Sequence, residues 1–300
     1  MSNVNFENRT VIVTGAGNGL GKAYALELGS RGAKVVVNDL GGSVDGSGSA
    51  SSPADDVVDE IIKNGGEAVA NYDSVATKEG GESIVQSAVD NFGTVDAVIN
   101  NAGILRDKSF ANMSEDELSL ILDVHLKGTF FVSQPAFKVM KEKNYGRIVN
   151  VASPSGLFGN FGQSNYGAAK MGIVGLTNVL SIEGAKYNIK VNVIAPTAYT
   201  RMTEALLPED VGKLFSAELV TPMVVYLASE SCEPTHEIFG VAAGRFARIG
   251  IITHNGYVNT SATAEDISEN IEEIRTIKDG TYPLSNEDEL MIIQKAIQGS

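Results

Sequence analysis

The stretch TVIVTGAGNGLGKAYALELGSRGAKVVVND, Thr10 to Asp39, decides the fold. Thr10–Thr14 is a short, β-branched apolar run and reads as a buried strand. It enters Gly15-Ala-Gly-Asn-Gly-Leu-Gly21 directly, and a helix-like segment, KAYALELGSRG, follows. A second apolar run, Lys34–Asn38, ends at Asp39. Glycines permit a tight turn and let a backbone approach a pyrophosphate closely. A helix N-terminus adds free N–H groups and the positive end of a dipole. An acid closing the second strand accepts hydrogen bonds from an adenosine ribose and repels a 2′-phosphate. A Gly-rich turn alone is weak; the strand before it, the helix after it and the acid beyond all agree. The segment predicts a dinucleotide site. No basic residue lies in the Gly loop or just after Asp39, so NAD is expected over NADP.

Working outward, strand and helix patterns keep alternating. Residues 41–54 (GGSVDGSGSASSPA) are Gly/Ser-rich and form a loop beside the adenosine end, either a plain insertion or a cover for the cofactor. Helices are expected at 55–64 and 79–92, with strands at 68–72 and 95–99. Ser114 opens a helix with a capping box completed by Glu117, running into the 130s before Pro135 perturbs it. A strand at 147–151 leads to Ser153, a long helix covers 164–187, and a further strand covers 190–195. A helical flap is expected at 202–215, a helix at 222–229 and a last strand at 238–242. This alternation of buried-type strands with helices means a doubly wound parallel sheet of the Rossmann type, α/β in class. The domain is expected to occupy 1–244. Residues 245–300 form a C-terminal extension with short helices at 264–276 and 286–297, which could cover the substrate site.

Ligands of such sheets gather at the carboxyl ends of the strands. The Gly loop, Asp39, Asp73, Asn101, Ser153 and Pro196–Thr200 meet that rule. Tyr166 and Lys170 are one helical turn apart, so they share a face. Ser153 lies at a strand end, across a Gly-rich loop. A cation near a phenol favours the phenolate, and a tuned phenol exchanges protons with an alcohol or ketone. The triple predicts proton transfer in carbonyl–alcohol chemistry.

The chain has 300 residues, a formal net charge of −14, one cysteine (Cys232) and three histidines far apart in sequence. The acidity argues against nucleic acid or an anionic membrane as partner. The lone cysteine excludes an internal disulfide, and the histidines offer no metal-ligand spacing, so no metal is expected. The polar start, the lack of a membrane-length apolar run and the ending AIQGS give no signal peptide, span or peroxisomal address. A cytoplasmic location is expected.

The motifs Thr14-Gly-x-x-x-Gly-x-Gly21, Asn100-Asn-Ala-Gly103 and Ser153/Tyr166/Lys170 resemble the short-chain dehydrogenase/reductase family over about residues 8–245. Longer runs, among them NNAGILRDKSF (Asn100–Phe110), Gly159–Gln163 and Arg201-Met202, resemble its peroxisomal type 2 multifunctional branch, which carries a (3R)-hydroxyacyl-CoA dehydrogenase unit. The hydratase and sterol-carrier regions of that branch have no counterpart here, so a stand-alone bacterial version is expected. The resemblance implies Tyr166 as acid/base, Lys170 lowering its pKa and holding the nicotinamide ribose, and Ser153 orienting substrate. It implies Gly15, Ala16, Asn18, Gly19, Leu20 and Gly21 along the pyrophosphate and Asp39 on the ribose. Asp73 and Ser74 fall near adenine, Asn101, Ala102 and Gly103 along the cofactor, and Pro196, Ala198, Tyr199 and Thr200 near the carboxamide. His125 replaces the family's usual Asn on the central helix; it either relays protons to the lysine or fills a polar core site. The implied substrate is a hydroxyacyl-CoA, with Arg106, Lys108, Arg201, Arg245 and Arg248 as candidate phosphate cations. A steroid alcohol or steroid side-chain CoA ester is the alternative, and a catalytically silent NAD-binding scaffold is the reading from another class. Family members pair through the helices containing Asp116–Gln134 and Ser164–Tyr187, so a homodimer is expected.

Overall fold

The computed structural model describes residues 4–201 and 212–299. Its strands are β1 (Thr10–Thr14), β2 (Lys34–Asn38), β3 (Glu67–Asn71), β4 (Ala97–Asn100), β5 (Gly146–Val151), β6 (Ile189–Thr197), β7 (Ile238–Ala242) and β8 (Arg245–Ile249). They form one sheet in the order β3-β2-β1-β4-β5-β6-β7-β8. The pairs from β3 through to β7 are parallel. The order reverses at β1, and β1 and β4 pair there. Ligands bind at such a switch point, outside the carboxyl ends of the strands.

The strands hold the core by alternation. Val11, Val13, Val35, Val37, Ala97, Ile99, Val149 and Val151 pack on one face of the sheet. Helices α1 (Gly19–Ser30) and α2 (Ser52–Lys63) cover that face. Ile12, Val36, Val98, Ile148 and Val191 fill the other. Helix α3 (Lys78–Phe92) covers them with α5 (Gly128–Glu142). Strands buried on both faces are what a doubly wound sheet requires.

Helix α4 (Glu115–Ile121) opens with the expected capping box: Ser114 and Glu117 bond reciprocally. A π-helical segment, Leu122–Lys127, joins it to α5. Pro135 does not end α5, which runs to Glu142. Proline leaves the Phe131 carbonyl without its helical donor. Gly81 of α3 packs against that carbonyl so closely that a Cβ there would lie 2.5 Å away. Tertiary packing therefore carries the helix through. Short α6 (Pro154–Phe158) and long α7 (Ser164–Gly184) follow β5, and α8 (Thr221–Ala228) precedes β7. The flap expected at 202–215 lies mostly outside the described residues; Lys213–Phe215 form one 3-10 turn. Strand β8 is absent from the sequence reading. It returns from β7 through Ala243–Gly244, at φ 50° and 76°, a hairpin turn that needs two left-handed residues.

The chain divides into two compact units, one ending at Arg248 and one beginning at Ile249. Within the second, Thr253 and Thr281 pair backbone to backbone at 2.9 and 2.7 Å. Its helices are α9 (Ala264–Glu269), capped by a Thr263–Asp266 box, α10 (Ile271–Ile274) and α11 (Asn286–Gly299). No described helix is long and apolar enough to cross a membrane.

Candidate active site

A groove of about 1190 Å³, its open mouth included, lies at the carboxyl ends of β1, β2 and β4. Gly15, Asn18, Gly19 and Leu20 line its floor. Gly15 turns at φ 62°, and a Cβ there would lie 2.8 Å from Ala102 Cα. A Cβ on Gly21 would lie 2.0 Å from the Gly15 carbonyl oxygen. The loop can thus fold tightly over the start of α1 only with glycine at both positions. Asp39 fastens it from the side: its carboxylate accepts the Gly17 and Gly41 N–H groups, each at 2.7 Å. Thr14 fastens it from below. Its hydroxyl oxygen accepts the N–H groups of Asn101 (3.0 Å) and Ala102 (3.1 Å). The Asn101 amide donates back to the Thr14 and Gly15 carbonyls at 3.0 Å each.

The second cluster is made of side chains, two buried (Lys170 and His125) and two half-buried (Ser153 and Tyr166). Ser153 caps α6, its hydroxyl accepting the Ser155 N–H at 3.2 Å. Tyr166 and Lys170 stand one turn apart on α7, and the lysine nitrogen is 5.5 Å from the centre of the Tyr166 ring. Lys170 is buried and donates to the Val151 carbonyl at 2.7 Å. Burial brings its ammonium down to about 7. Burial also pushes the Tyr166 phenol up to about 12; a hydrogen bond with Ser153 pulls the other way, and Asp107 adds to the rise. Burial is thus the leading influence on the phenol, and it acts upward. Behind them the His125 ring meets the Tyr166 ring edge to face, with centroids 5.1 Å apart. Its Nε2 lies 2.8 Å from the Ile104 carbonyl oxygen and 3.1 Å from the Ile104 nitrogen. Its Nδ1 is buried without a partner among the described residues. Burial first, and Lys170 second, hold this imidazole well below its ordinary pKa, so it is neutral.

A phosphate cradle beside a half-buried Ser and Tyr and a buried Lys suits a dinucleotide-dependent redox site. The family model for short chain dehydrogenase matches residues 9–210. The chain belongs to the short-chain dehydrogenase family. It is 57% identical over 247 residues to the peroxisomal hydratase-dehydrogenase-epimerase of Saccharomyces cerevisiae, covering 82% of this chain and 27% of that protein. It is 49% identical over 286 residues to the peroxisomal multifunctional enzyme type 2 of Mus musculus, covering 94% and 38%. The full-length peroxisomal multifunctional enzyme type 2 structure from Drosophila melanogaster superposes with a TM-score of 0.84 at 38% identity, covering 99% of this chain and 50% of that one. The chain thus spans about a quarter to a half of these relatives. As a short-chain dehydrogenase it is an oxidoreductase acting on CH–OH groups, with a cofactor of the NAD(P) class.

Not every residue read from the sequence faces the groove of this short-chain dehydrogenase. Gly15, Asn18, Gly19, Leu20, Asp39, Asp73, Ser74, Asn101, Ala102, Gly103 and Thr200 line it. Ala16 does not: it is buried, its N–H on the Asn38 carbonyl at 2.9 Å. Gly21 packs against the loop from inside. Pro196, Ala198 and Tyr199 are also absent from the lining, because β6 extends to Thr197 and the Tyr199 N–H turns to the Phe215 carbonyl at 2.7 Å. The Asp73 carboxylate is held by Asn71 (2.8 Å) and Ser83 (2.7 Å). Arg106 spends its Nε on the Asp45 carbonyl at 2.9 Å, and Arg248 pairs with Glu237 at 3.6 Å. Thr14 was read only as the first residue of the glycine motif, without a role of its own, and Asn165 escaped the sequence reading. Asn165 is fully buried, accepts the Tyr166 N–H at 2.7 Å and donates to the Arg106 and Glu117 carbonyls at 3.0 Å each. It fixes the first turn of α7, and so the place of Tyr166. Its one signal was position, next to the tyrosine.

Proposed function

We propose that the chain is an NAD-dependent dehydrogenase that oxidises (3R)-hydroxyacyl-CoA to 3-ketoacyl-CoA. The observation that carries this is the convergence of Ser153, Tyr166 and Lys170 beside a groove closed by Asp39. Asp39 supports NAD over NADP, since a carboxylate there opposes a 2′-phosphate. The Gly loop and the start of α1 fit a dinucleotide: the glycines leave no Cβ between backbone and ligand. Gly15, Asn18, Gly19 and Leu20 would hold the pyrophosphate, and Asp39 the ribose. When bound, the dinucleotide supplies the hydride acceptor.

The chain's own residues handle the proton. Ser153 orients the substrate hydroxyl, and Tyr166 takes its proton at Oη as it passes its own phenolic proton on towards the Lys170 amine, the group of the pair that is without its proton near neutrality. Because burial holds Tyr166 up and Lys170 down, the pair loses its first proton near neutrality, on the lysine side. Ordinary acid–base assistance of this sort is worth roughly 10²–10⁴-fold. His125 stays neutral and braces the phenol ring.

The acyl-CoA class draws support from one surface. Phe158 (72% exposed), the last residue of α6, and Phe161 (91%), in the loop that follows it, lie between Ser153 and Tyr166. The segment bearing Phe110 (84%) pairs with that loop, the Lys108 N–H donating to the Gly162 carbonyl at 2.8 Å. Exposed aromatics beside a lysine suit an apolar chain with a phosphorylated handle. A second copy is proposed to cover Leu118, Phe130, Met171, Val179 and Ile182, all 39–55% exposed on α4, α5 and α7. The extension from 245 onward is proposed to cover substrate, in its own subunit or its partner.

The test follows reduced-nicotinamide absorbance with NAD⁺ and, in parallel, (3R)-hydroxyacyl-CoA, its (3S) isomer and a 17β-hydroxysteroid. Turnover of the (3R) thioester alone is expected. Turnover of the steroid alone replaces the substrate class, and NAD binding without turnover points to a silent scaffold.

A further inference from the structure

We propose that the loop Gly41–Ala50 is a clasp on the cofactor, latched to Leu105 and Arg106, and that dinucleotide release requires this latch to open. The inference rests on the dinucleotide reading above.

The loop is a closed unit. Its ends meet where the Ala50 N–H donates to the Leu40 carbonyl at 3.0 Å. Gly41 turns there at φ 73°, and a Cβ would lie 1.8 Å from the Ala50 carbonyl oxygen, so only glycine fits. Its interior is stitched around Asp45. That carboxylate accepts the Ser43 hydroxyl (2.9 Å), the Ser47 N–H (3.0 Å) and the Ser47 hydroxyl (2.8 Å). The Ser43 N–H reaches the Ser47 carbonyl at 2.8 Å, and the Gly46 N–H the Ser43 carbonyl at 2.9 Å. A compact loop with adjoining ends and internal bonds moves as one piece.

Its base and its tip lie on opposite sides of the groove. The base is tied to the ribose acid, through the Gly41 N–H on Asp39. The tip crosses to the segment after β4. There the Leu105 N–H donates to the Val44 carbonyl at 2.9 Å, and Arg106 Nε donates to the Asp45 carbonyl at 2.9 Å. Gly46 sits against Ile104, whose Cδ1 would be 2.9 Å from a Cβ at that position. Gly42, Val44 and Gly46 line the groove, as do Ile104 and Asn101. The latch is two hydrogen bonds near the surface, while the stitching inside the loop is denser. The weaker set opens first. Lids of this kind often set the rate of product release.

The experiment uses the full chain and NADH as probe, with stopped-flow fluorescence for association and for displacement by excess NAD⁺. Arg106→Ala removes the latch side chain without touching a residue that lines the groove. NADH release is expected to be about tenfold faster, the loss of one hydrogen bond from a charged donor, with association within about threefold of wild type. Asp45→Ala, which unstitches the tip, is expected to speed release in the same direction. Release within twofold of wild type in both variants overturns the clasp. Slower association with unchanged release in Arg106→Ala also overturns it, because the arginine then only attracts an anion. If the unaltered protein binds no NADH at all, the dinucleotide reading itself fails.

Discussion

The dinucleotide end of the groove is built from backbone, and the chemical end from buried side chains. At the first, glycines, N–H groups and one carboxylate do the holding, and Asp39, Thr14 and Asn101 are bonded within the fold. At the second, Tyr166, Lys170 and His125 are desolvated, and each is displaced from its ordinary protonation range. A backbone site is sensitive to bulk and indifferent to pH. A buried side-chain site tolerates little loss of function at its key atoms and responds to protons. The two ends should therefore fail in different ways.

The largest contrast comes from the phenol. Tyr166→Phe keeps the ring against His125 and removes the proton acceptor. Alcohol oxidation should fall by roughly 10²–10⁴-fold while NADH binding, read by fluorescence, stays within a few-fold. Normal turnover would remove Tyr166 from the chemistry. The reverse pattern belongs to Gly21→Ala. Its Cβ would meet the Gly15 carbonyl oxygen at 2.0 Å, and overpacking of this kind costs about 1–3 kcal/mol. The melting temperature should drop and NADH affinity weaken by about tenfold or more, with kcat at saturating cofactor the less affected quantity. Unchanged affinity would show that the loop relaxes without moving its N–H groups.

The proton response is next. If oxidation needs the pair to lose its first proton, kcat/KM should fall as pH drops through about 7, the position of Lys170. In Lys170→Met that limb should move alkaline by at least one pH unit, toward the phenol. A limb left in place would assign it to another group. Stability follows the same sign. Lys170 prefers to be neutral in the fold, so stability is lost as pH falls from the lysine's ordinary 10.5 through 7, and is flat below.

The same contrast explains what could be read from the sequence. Alternating Val11, Ile12 and Val13, and their equivalents in β2, β4 and β5, announce strands buried on both faces, and the glycine spacing announces the loop. Both are local patterns. The π-helical turn at 122–127, the passage of α5 through Pro135 and the hairpin at Ala243–Gly244 depend on neighbours distant in the chain or on backbone angles that no residue pattern specified. The site divides likewise. Ser153, Tyr166 and Lys170 were visible by spacing, yet the direction of the Tyr166 shift was not, because sequence hides the burial that raises it. Asn165 was hidden for the same reason: its work lies in contacts to Arg106 and Glu117, far away in sequence.

The smallest expected effect tests the carboxylate among the side chains that fasten the backbone end. Asp39 accepts the Gly17 and Gly41 N–H groups, so it holds the phosphate loop and the base of the 41–50 loop together. Asp39→Asn keeps the size and one acceptor oxygen but removes the charge. The loop should survive, since one of the two bonds persists and the melting temperature should change by only a few degrees. NAD⁺ affinity should weaken by less than about tenfold, the worth of one hydrogen bond to a charged group. NADP⁺ should improve relative to NAD⁺, because the repulsion of a 2′-phosphate is gone. Equal losses for both cofactors in a binding titration would mean that Asp39 acts only as a clip between loops. The preference for NAD would then have to come from elsewhere in the groove.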